Sequence, residues 1–488
     1  MQYAWAREAY PEDLLMVLFD IGGTILDMRH MVCRVLLGYD RARETGHFHG
    51  LTAEDVTVHE NQVDGLLAEL GVPAAARGDV MSWYLGQRWS VDAIMASHRP
   101  CQGVLDVIRW FQIQPRCVVG LNTGRPEDLR EESLRSLNAL GEEYRVSFES
   151  DLLYMKARNW KFGVQETKVA GLRHFQDAGY RIVAVIDNEP SNIEAMVEAD
   201  EDSEILFLHA DTIFESQRVA TPHTVRGQRY DITSLISERS LPEHVHFVWH
   251  GVNDATNLRQ MLASAVHWGE CDVRIDPIDR TVLRHDSFEV TPWRRDEECV
   301  PLHQAVALFQ RHGKGMKLDL KQGDGMVDRV IELVGEAAVA EQDIWFNGSI
   351  EILREAGFRR LAEAFPHAVI QCPVDFLAPL VLSVPDRAQT ILTMLYGWGV
   401  NRVSVSWQTQ RKRQIFRRIT DWGFEVNIYE VPDLEAFLQA ALLLPRSLTS
   451  DFNFPSWHYF GRGSGEQGDY HRYGLLGGEA EIRLAEAE

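Results

Sequence analysis

The sequence predicts a two-domain α/β protein in which a capped parallel sheet is followed by a closed (β/α)8 barrel. Three observations carry that expectation. At 488 residues the chain exceeds what one ordinary hydrophobic core organises. Two series of short apolar strands alternate with helical segments on either side of a join near 226–243. In both series polar clusters fall at the carboxyl ends of strands, where such sheets gather ligands.

The first series begins at the N-terminus, MQYAWAREAYPEDLLMVLFD. Arg7, acidic residues and a proline precede its apolar stretch, so it reads as a first strand rather than a signal peptide. A helix-rich insert runs from about 28 to 100, and the strands RCVVGLNTG, YRIVAVIDN and ILFLHA follow. Continuous apolar strands of this kind indicate a parallel sheet buried on both faces. The second series contributes HVHFVWHG, GECDVRID, GMKLDLK, QDIWFNGSI, AVIQCPVD, NRVSVSW, FEVNIYEVP and SLTSDF, most of them separated by helical segments. Eight strands with intervening helices point to a closed barrel. The expected organisation is 1–225 for the sheet domain, 226–243 for a linker, 244–455 for the barrel, and 456–488 for an irregular Gly-rich, aromatic and then acidic tail.

Composition narrows the function classes. No run of about eighteen apolar residues is present, so no membrane-spanning helix is expected. The net charge of −23 opposes non-specific binding to nucleic acid or anionic membrane and suits sites whose carboxylates hold cations. Cys33, Cys101, Cys117, Cys271, Cys299 and Cys372 are scattered without a CxxC pair, the pattern of reduced thiols in a cytoplasmic protein. The expected partner is a small-molecule phosphate ester.

That expectation comes from the first polar clusters, FDIGGTILD, LNTGRP and VIDNEPSN. Asp20 ends an apolar strand and can attack phosphorus or bind Mg²⁺, while Gly22-Gly23-Thr24 opens a tight turn that frees backbone groups. Thr123 can donate its hydroxyl and backbone N–H to a phosphate oxygen, with Gly22 and Gly124 as further substrate contacts. Asp187 can complete the metal site. Lys168 in ETKVAGL would neutralise charge on the transferred group, with Lys156 and Lys161 close by in sequence as competing lysines.

These four motifs in this order resemble the haloacid dehalogenase (HAD) superfamily over about 14–215, and the helical insert resembles its cap. The resemblance implies phosphoryl transfer through Asp20, with Asp20 and Asp187 holding Mg²⁺. Phosphatases of that superfamily place a second Asp two residues after the nucleophile, and here the position is Gly22. General acid–base help typically contributes about a hundred- to ten-thousand-fold, so ordinary monoesterase activity should be severely reduced. Three explanations stay open: a substrate with a good leaving group, a proton donor from the cap, or a site that binds phosphate without turnover.

In the second series Glu270 and Asp272 stand two apart on one strand and share a face. Lys317, Asp319 and Lys321 share a face of KLDLK, and inward charges at one end of a barrel must pair or bind a metal. Three carboxylates suit one Mg²⁺ or Ca²⁺. His250 and His285 could serve as base and acid on opposite sides of a phosphate, and Lys321 could stabilise the developing anion.

WHGVN, ECDV, LRHD, KLDLK and WFNGSI together resemble the glycerophosphodiester phosphodiesterase-like (GDPD-like) TIM-barrel superfamily, and most of all its menorin-type branch, over about 244–455. The resemblance implies His250 and His285 as a catalytic pair and Glu270, Asp272 and Asp319 as metal ligands. It also implies that Asp286 orients His285 and that Asn253 and Asn347 contact substrate. The expected protein is a metal-dependent phosphoric ester hydrolase; the competing expectation is a phosphate-binding scaffold with one or both sites degenerate.

Overall fold

Short apolar strands ending in polar residues build both halves of the chain. The computed structural model describes residues 2–157, 163–211, 224–227, 229–236, 241–294, 297–323, 325–455 and 470–472. It divides into two compact units, Met1–Leu235 and Ile236–Glu488.

The first unit contains six parallel strands: β1 (Leu15–Phe19), β2 (Cys117–Pro126), β3 (Leu153–Lys156), β4 (Arg181–Asp187), β5 (Leu206–Ala210) and β6 (Thr224–Gly227). Their order is β3-β2-β1-β4-β5-β6, so the central strand β1 carries Asp20 just past its end, between β2 and β4. Every residue of β1 is buried, as the two-faced burial of a parallel strand requires. Met16 and Leu18 pack with Leu172 and Phe175 of the helix Val164–Asp177 and with Ile193 and Met196 of the helix Pro190–Ala199. The segment between β1 and β2 is helical, with Arg29–Arg43, Val63–Glu69, Ala74–Gln87, Val91–Ser97 and Val104–Gln112 as its α-helices.

Three details differ from the sequence reading. The N-terminal stretch forms a helix, Gln2–Ala9, before the first strand; its helix-favouring Ala, Gln, Arg and Glu residues were overshadowed by the apolar run behind them. Strands β3 and β6 are four residues each, too short to show a period. The stretch 226–243 is not a bare linker: it holds the end of β6 and the helix Ile232–Leu235, and the Tyr230 hydroxyl donates to the Thr24 carbonyl at 3.0 Å.

The second unit is a closed parallel barrel of β7 (His246–Trp249), β8 (Trp268–Ile275), β10 (Gly315–Leu320), β11 (Ile344–Asn347), β12 (Val369–Pro373), β13 (Arg402–Ser406), β14 (Glu425–Tyr429) and β15 (Ser447–Ser450). Closure is made by β15 pairing with β7 and β8 with both β7 and β10. These are the eight strands read from sequence. A short strand β9 (Thr281–Leu283) adds antiparallel to β8.

Trp268 and Trp345 meet edge to face at 5.8 Å within a buried cluster with Val248. Gly315 lies opposite Trp268, where a Cβ would stand 2.7 Å from the indole ring. Glu270 lies two residues above Trp268 and Asn347 two above Trp345, so inward side chains form layers, apolar below and polar above. In the tail, Tyr470–Arg472 pairs antiparallel with Asn453–Pro455; the rest of 456–488 lies outside the described residues.

Candidate active sites

In the first unit the strand ends bring Asp20, Thr123 and Asp187 together, and the helix Val164–Asp177 delivers Lys168 into their midst. The Lys168 ammonium is 2.5 Å from Asp20 Oδ1 and 2.7 Å from Asp187 Oδ2, and donates to the Asn122 carbonyl at 2.6 Å. All four residues are buried. Of the competing lysines, Lys156 lines the same cavity and Lys161 lies outside the described residues. The helix is pinned in place because the Asn122 amide donates back to the Lys168 carbonyl at 2.7 Å.

Burial pushes the Asp20 carboxyl up to about 6, with Lys168 opposing and Asp187 adding to the rise. Asp187 is held by the Glu189 N–H at 2.9 Å and the Asn192 amide at 3.3 Å. One ammonium facing two buried carboxylates leaves a negative centre, a donor set that fits a divalent cation. Gly23 makes the turn after Asp20 with φ +80°, and its N–H donates to the Leu26 carbonyl at 2.8 Å. A Cβ there would overlap the Asn188 amide.

The cavity above Asp20, about 540 Å³, also takes in Gly22, Gly124, Arg125, Glu60, His59 and Trp89. The Arg125 guanidinium is buried, lies 5.2 Å from the Trp89 ring, and donates weakly to His98 Nε2 at 3.4 Å. Its Nε and Nη1 have no hydrogen-bond partner, so the cavity offers unspent donors to an anion. His59, Glu60 and Arg125 were not singled out from sequence. Arg125 could have been, since it follows Thr123 in LNTGRP; His59 and Glu60 belong to a non-periodic stretch of the insert.

In the barrel, register does the assembling. Glu270 pairs with Lys317 and Asp272 with Asp319 across β8 and β10; Asp319 pairs with Asn347, and Asn347 with Gln371. Lys317 Nζ lies 3.2 Å from Glu270 Oε1 and 5.0 Å from the Trp345 ring centre. Lys321 Nζ bridges Asp272, at 2.9 Å, and Asp319. Asn253 donates to Asp272 at 2.5 Å and Asn347 to Asp319 at 2.8 Å, so both asparagine amides are engaged with carboxylates. Although burial opposes it, Lys321 and Asn253 hold the Asp272 carboxyl below its ordinary range.

Each of the three carboxylates therefore faces a lysine: Asp272 and Asp319 share the Lys321 ammonium, and Glu270 meets Lys317. Among the described residues no three His, Cys, Asp or Glu side chains stand ready to share a metal. Glu270 Oε2 is nevertheless buried with no hydrogen-bond partner, and a divalent ion would fit this donor set once Lys321 moved aside.

Both histidines border the same cavity, about 420 Å³, with Glu270, Lys317, Asp319, Lys321 and Asn347. His250 Nδ1 lies 2.7 Å from Asp451 and His285 Nδ1 lies 2.9 Å from Asp286. The Asp451 hydrogen bond raises the His250 imidazole to about 9, with Glu270 adding to the rise. Asp451 was not assigned from sequence, though SLTSDF contains it.

No family model matches the chain, and no curated protein matches it. Solved structures do. A glycerophosphodiester phosphodiesterase from Parabacteroides distasonis is 12% identical with a TM-score of 0.34, over 43% of this chain and 93% of that one. An Oleispira antarctica phosphodiesterase in complex with the product sn-glycerol-3-phosphate is 16% identical with a TM-score of 0.34, again over 43% and 93%. CbbY from Rhodobacter sphaeroides, in complex with xylulose-(1,5)bisphosphate, is 10% identical with a TM-score of 0.29, over 44% and 95%.

Proposed function

We propose that the chain is a phosphoric ester hydrolase with two sites, a phosphodiesterase centre in the barrel and a phosphomonoester centre beside Asp20. The observation that carries the reading is the meeting in one barrel cavity of two carboxylate-backed histidines with Lys317 and Lys321. Diester cleavage needs a base on one side of phosphorus, an acid on the other, and positive charge on the non-bridging oxygens.

His250, held protonated by Asp451, supplies the proton to the leaving oxygen. His285, its Nδ1–H donated to Asp286, accepts at Nε2 a proton from the attacking water. Lys317 and Lys321 meet the charge on phosphorus. Mg²⁺ or Ca²⁺ held by Glu270, Asp272 and Asp319 would add Lewis-acid polarisation. In the capped unit Asp20 attacks phosphorus while Thr123, Gly124 and Lys168 hold the phosphoryl oxygens; Asp20 and Asp187 would be the residues to hold Mg²⁺, which would offset charge on the transferred group. Six cysteines without a disulfide support a reducing, cytoplasmic setting.

The test is turnover of a panel of phosphodiesters and phosphomonoesters by the purified chain, with and without Mg²⁺. His250→Ala and His285→Ala should each abolish diester cleavage, and Asp20→Asn should abolish monoester cleavage alone. Diester cleavage surviving the double histidine variant would refute the barrel mechanism. A second reading, phosphate binding without turnover at Asp20, is favoured by Gly22; retained binding of inorganic phosphate with no monoester turnover would establish it.

A further inference from the structure

We propose that Glu60, carried by the helical insert, is the general acid and base of the Asp20 site, in place of a carboxylate at residue 22. The proposal rests on the reading of Asp20 as nucleophile. Three observations converge on it.

The first is spatial. A Cβ built on Gly22 would meet only Met28 Sδ at 3.6 Å, Glu60 Oε1 at 3.8 Å and Met28 Cγ at 3.8 Å. An Asp at that position would extend its oxygens two bonds beyond Cβ, into the space that Glu60 Oε1 borders. The second is that Glu60 is buried and its Oε2 accepts no hydrogen bond. Its nearest ion-pair partner is His59 Nε2 at 3.4 Å, which makes no hydrogen bond to it, and a buried carboxylate oxygen so weakly met calls for an explanation. It faces the cavity that contains Asp20, Thr123 and Lys168.

The third is that the segment carrying the carboxylate is anchored. The Glu60 carbonyl accepts from the Tyr84 hydroxyl at 2.8 Å. His59 Nε2 stands 3.4 Å from Glu60 Oε2 and 2.5 Å from Glu189, two residues beyond Asp187. The Asn61 N–H donates to His59 Nδ1 at 3.1 Å, which leaves Nε2 as the protonated nitrogen. The insert is thus tied to the end of β4 at the place where a proton donor is wanted.

The chemistry balances in two steps. An Asp20 oxygen forms a bond to phosphorus as the ester P–O bond breaks, and the departing alkoxide takes the Glu60 proton. Water then attacks the phosphorus of phospho-Asp20 while Glu60 takes its proton; the P–O bond to Asp20 breaks, releasing phosphate and restoring both carboxyl groups.

Glu60→Gln keeps the volume and removes the proton chemistry. The probes are p-nitrophenyl phosphate, whose leaving group departs without protonation, and ethyl phosphate, whose leaving group does not. The quantity read is kcat/KM, which reports phosphorylation of Asp20. We expect Glu60→Gln to lower kcat/KM for ethyl phosphate by about a hundred- to ten-thousand-fold and for p-nitrophenyl phosphate by less than about tenfold. Adding Gly22→Asp to Glu60→Gln should restore much of the alkyl-ester loss. Equal losses on both probes, or none, with turnover still abolished by Asp20→Asn, would overturn the assignment of Glu60 and leave Asp20 as nucleophile. Absence of any Asp20-dependent turnover in the unsubstituted chain would overturn both.

Discussion

His250 and Asp451 meet at 2.7 Å across the closing seam of the barrel, one just past the end of β7 and the other just past β15. The carboxylate stabilises the imidazolium and raises its titration to about 9, so the proton is present at neutral pH and is lost as pH rises through that value. Asp451→Asn removes the stabilising charge. The expected result is a His250 midpoint at least one pH unit lower by NMR titration, with the alkaline limb of the diesterase pH–rate profile moving down by the same amount. An unmoved midpoint would show that Asp451 does not set the charge of His250.

Lys321 stands between Asp272 and Asp319, two of the carboxylates proposed to hold a divalent ion. Lys321→Ala leaves two carboxylates facing each other without a counter-charge, which is destabilising in metal-free buffer. Mg²⁺ should reverse that loss. The expected outcome is a lower Tm than the unsubstituted chain in EDTA and a larger rise in Tm on adding Mg²⁺. If Mg²⁺ raises both melting temperatures equally, the carboxylates do not form the ion's site.

The barrel was legible because each strand is a short apolar or alternating run bounded by turns, and strand periodicity fixes which residues share a face. Glu270 with Asp272, and Lys317 with Asp319, follow from that rule alone. Which lysine meets which carboxylate does not, because it depends on the register between β8 and β10. Asp20 and Lys168 were legible as strand-end and helix residues in motifs. Glu60, Asp451 and Arg125 reach the cavities through contacts between segments far apart in the chain or through a burial that no local pattern announces. The same holds for the lysine occupancy of the carboxylate cluster, since sequence shows three acids suited to a metal but not the ammonium among them.

Gly171 lies one turn beyond Lys168, and a Cβ there would overlap the Asn122 side chain and stand 2.8 Å from the Tyr154 ring. Asn122 cannot easily yield, since its side-chain amide donates to the Lys168 carbonyl and its main-chain carbonyl accepts from Lys168 Nζ. Gly171→Ala should therefore cost about 1–3 kcal/mol of stability by overpacking and shift the ammonium away from Asp20. The expected signature is a lower Tm together with a fall in Asp20-dependent turnover, diesterase activity being unchanged. Full monoesterase activity would mean that Lys168 is placed independently of this contact.

His98 is buried beside Arg125 and accepts its weak hydrogen bond at Nε2, while Nδ1 lies 2.7 Å from the Ser136 hydroxyl. That arrangement requires a neutral ring. Burial first, then the charges of Arg125 and Arg99, lower its titration to about 2 from 6.5. A base whose folded value is depressed contributes stability above its unfolded value, and loses it as pH falls from about 6.5 towards 2. Between those limits the unfolded chain binds the extra proton, so each pH unit of acidification costs about 1.4 kcal/mol. His98→Asn retains a partner for Ser136 and removes the titration. Against pH, the stability of the capped unit should fall more steeply in the unsubstituted chain than in the variant, diverging by about 2 kcal/mol over the two units below pH 6.5. Parallel curves between pH 6.5 and 4.5 would show that His98 is not held neutral. Divergence would tie the acid limit of the fold to the residue that holds Arg125 in place beside Asp20.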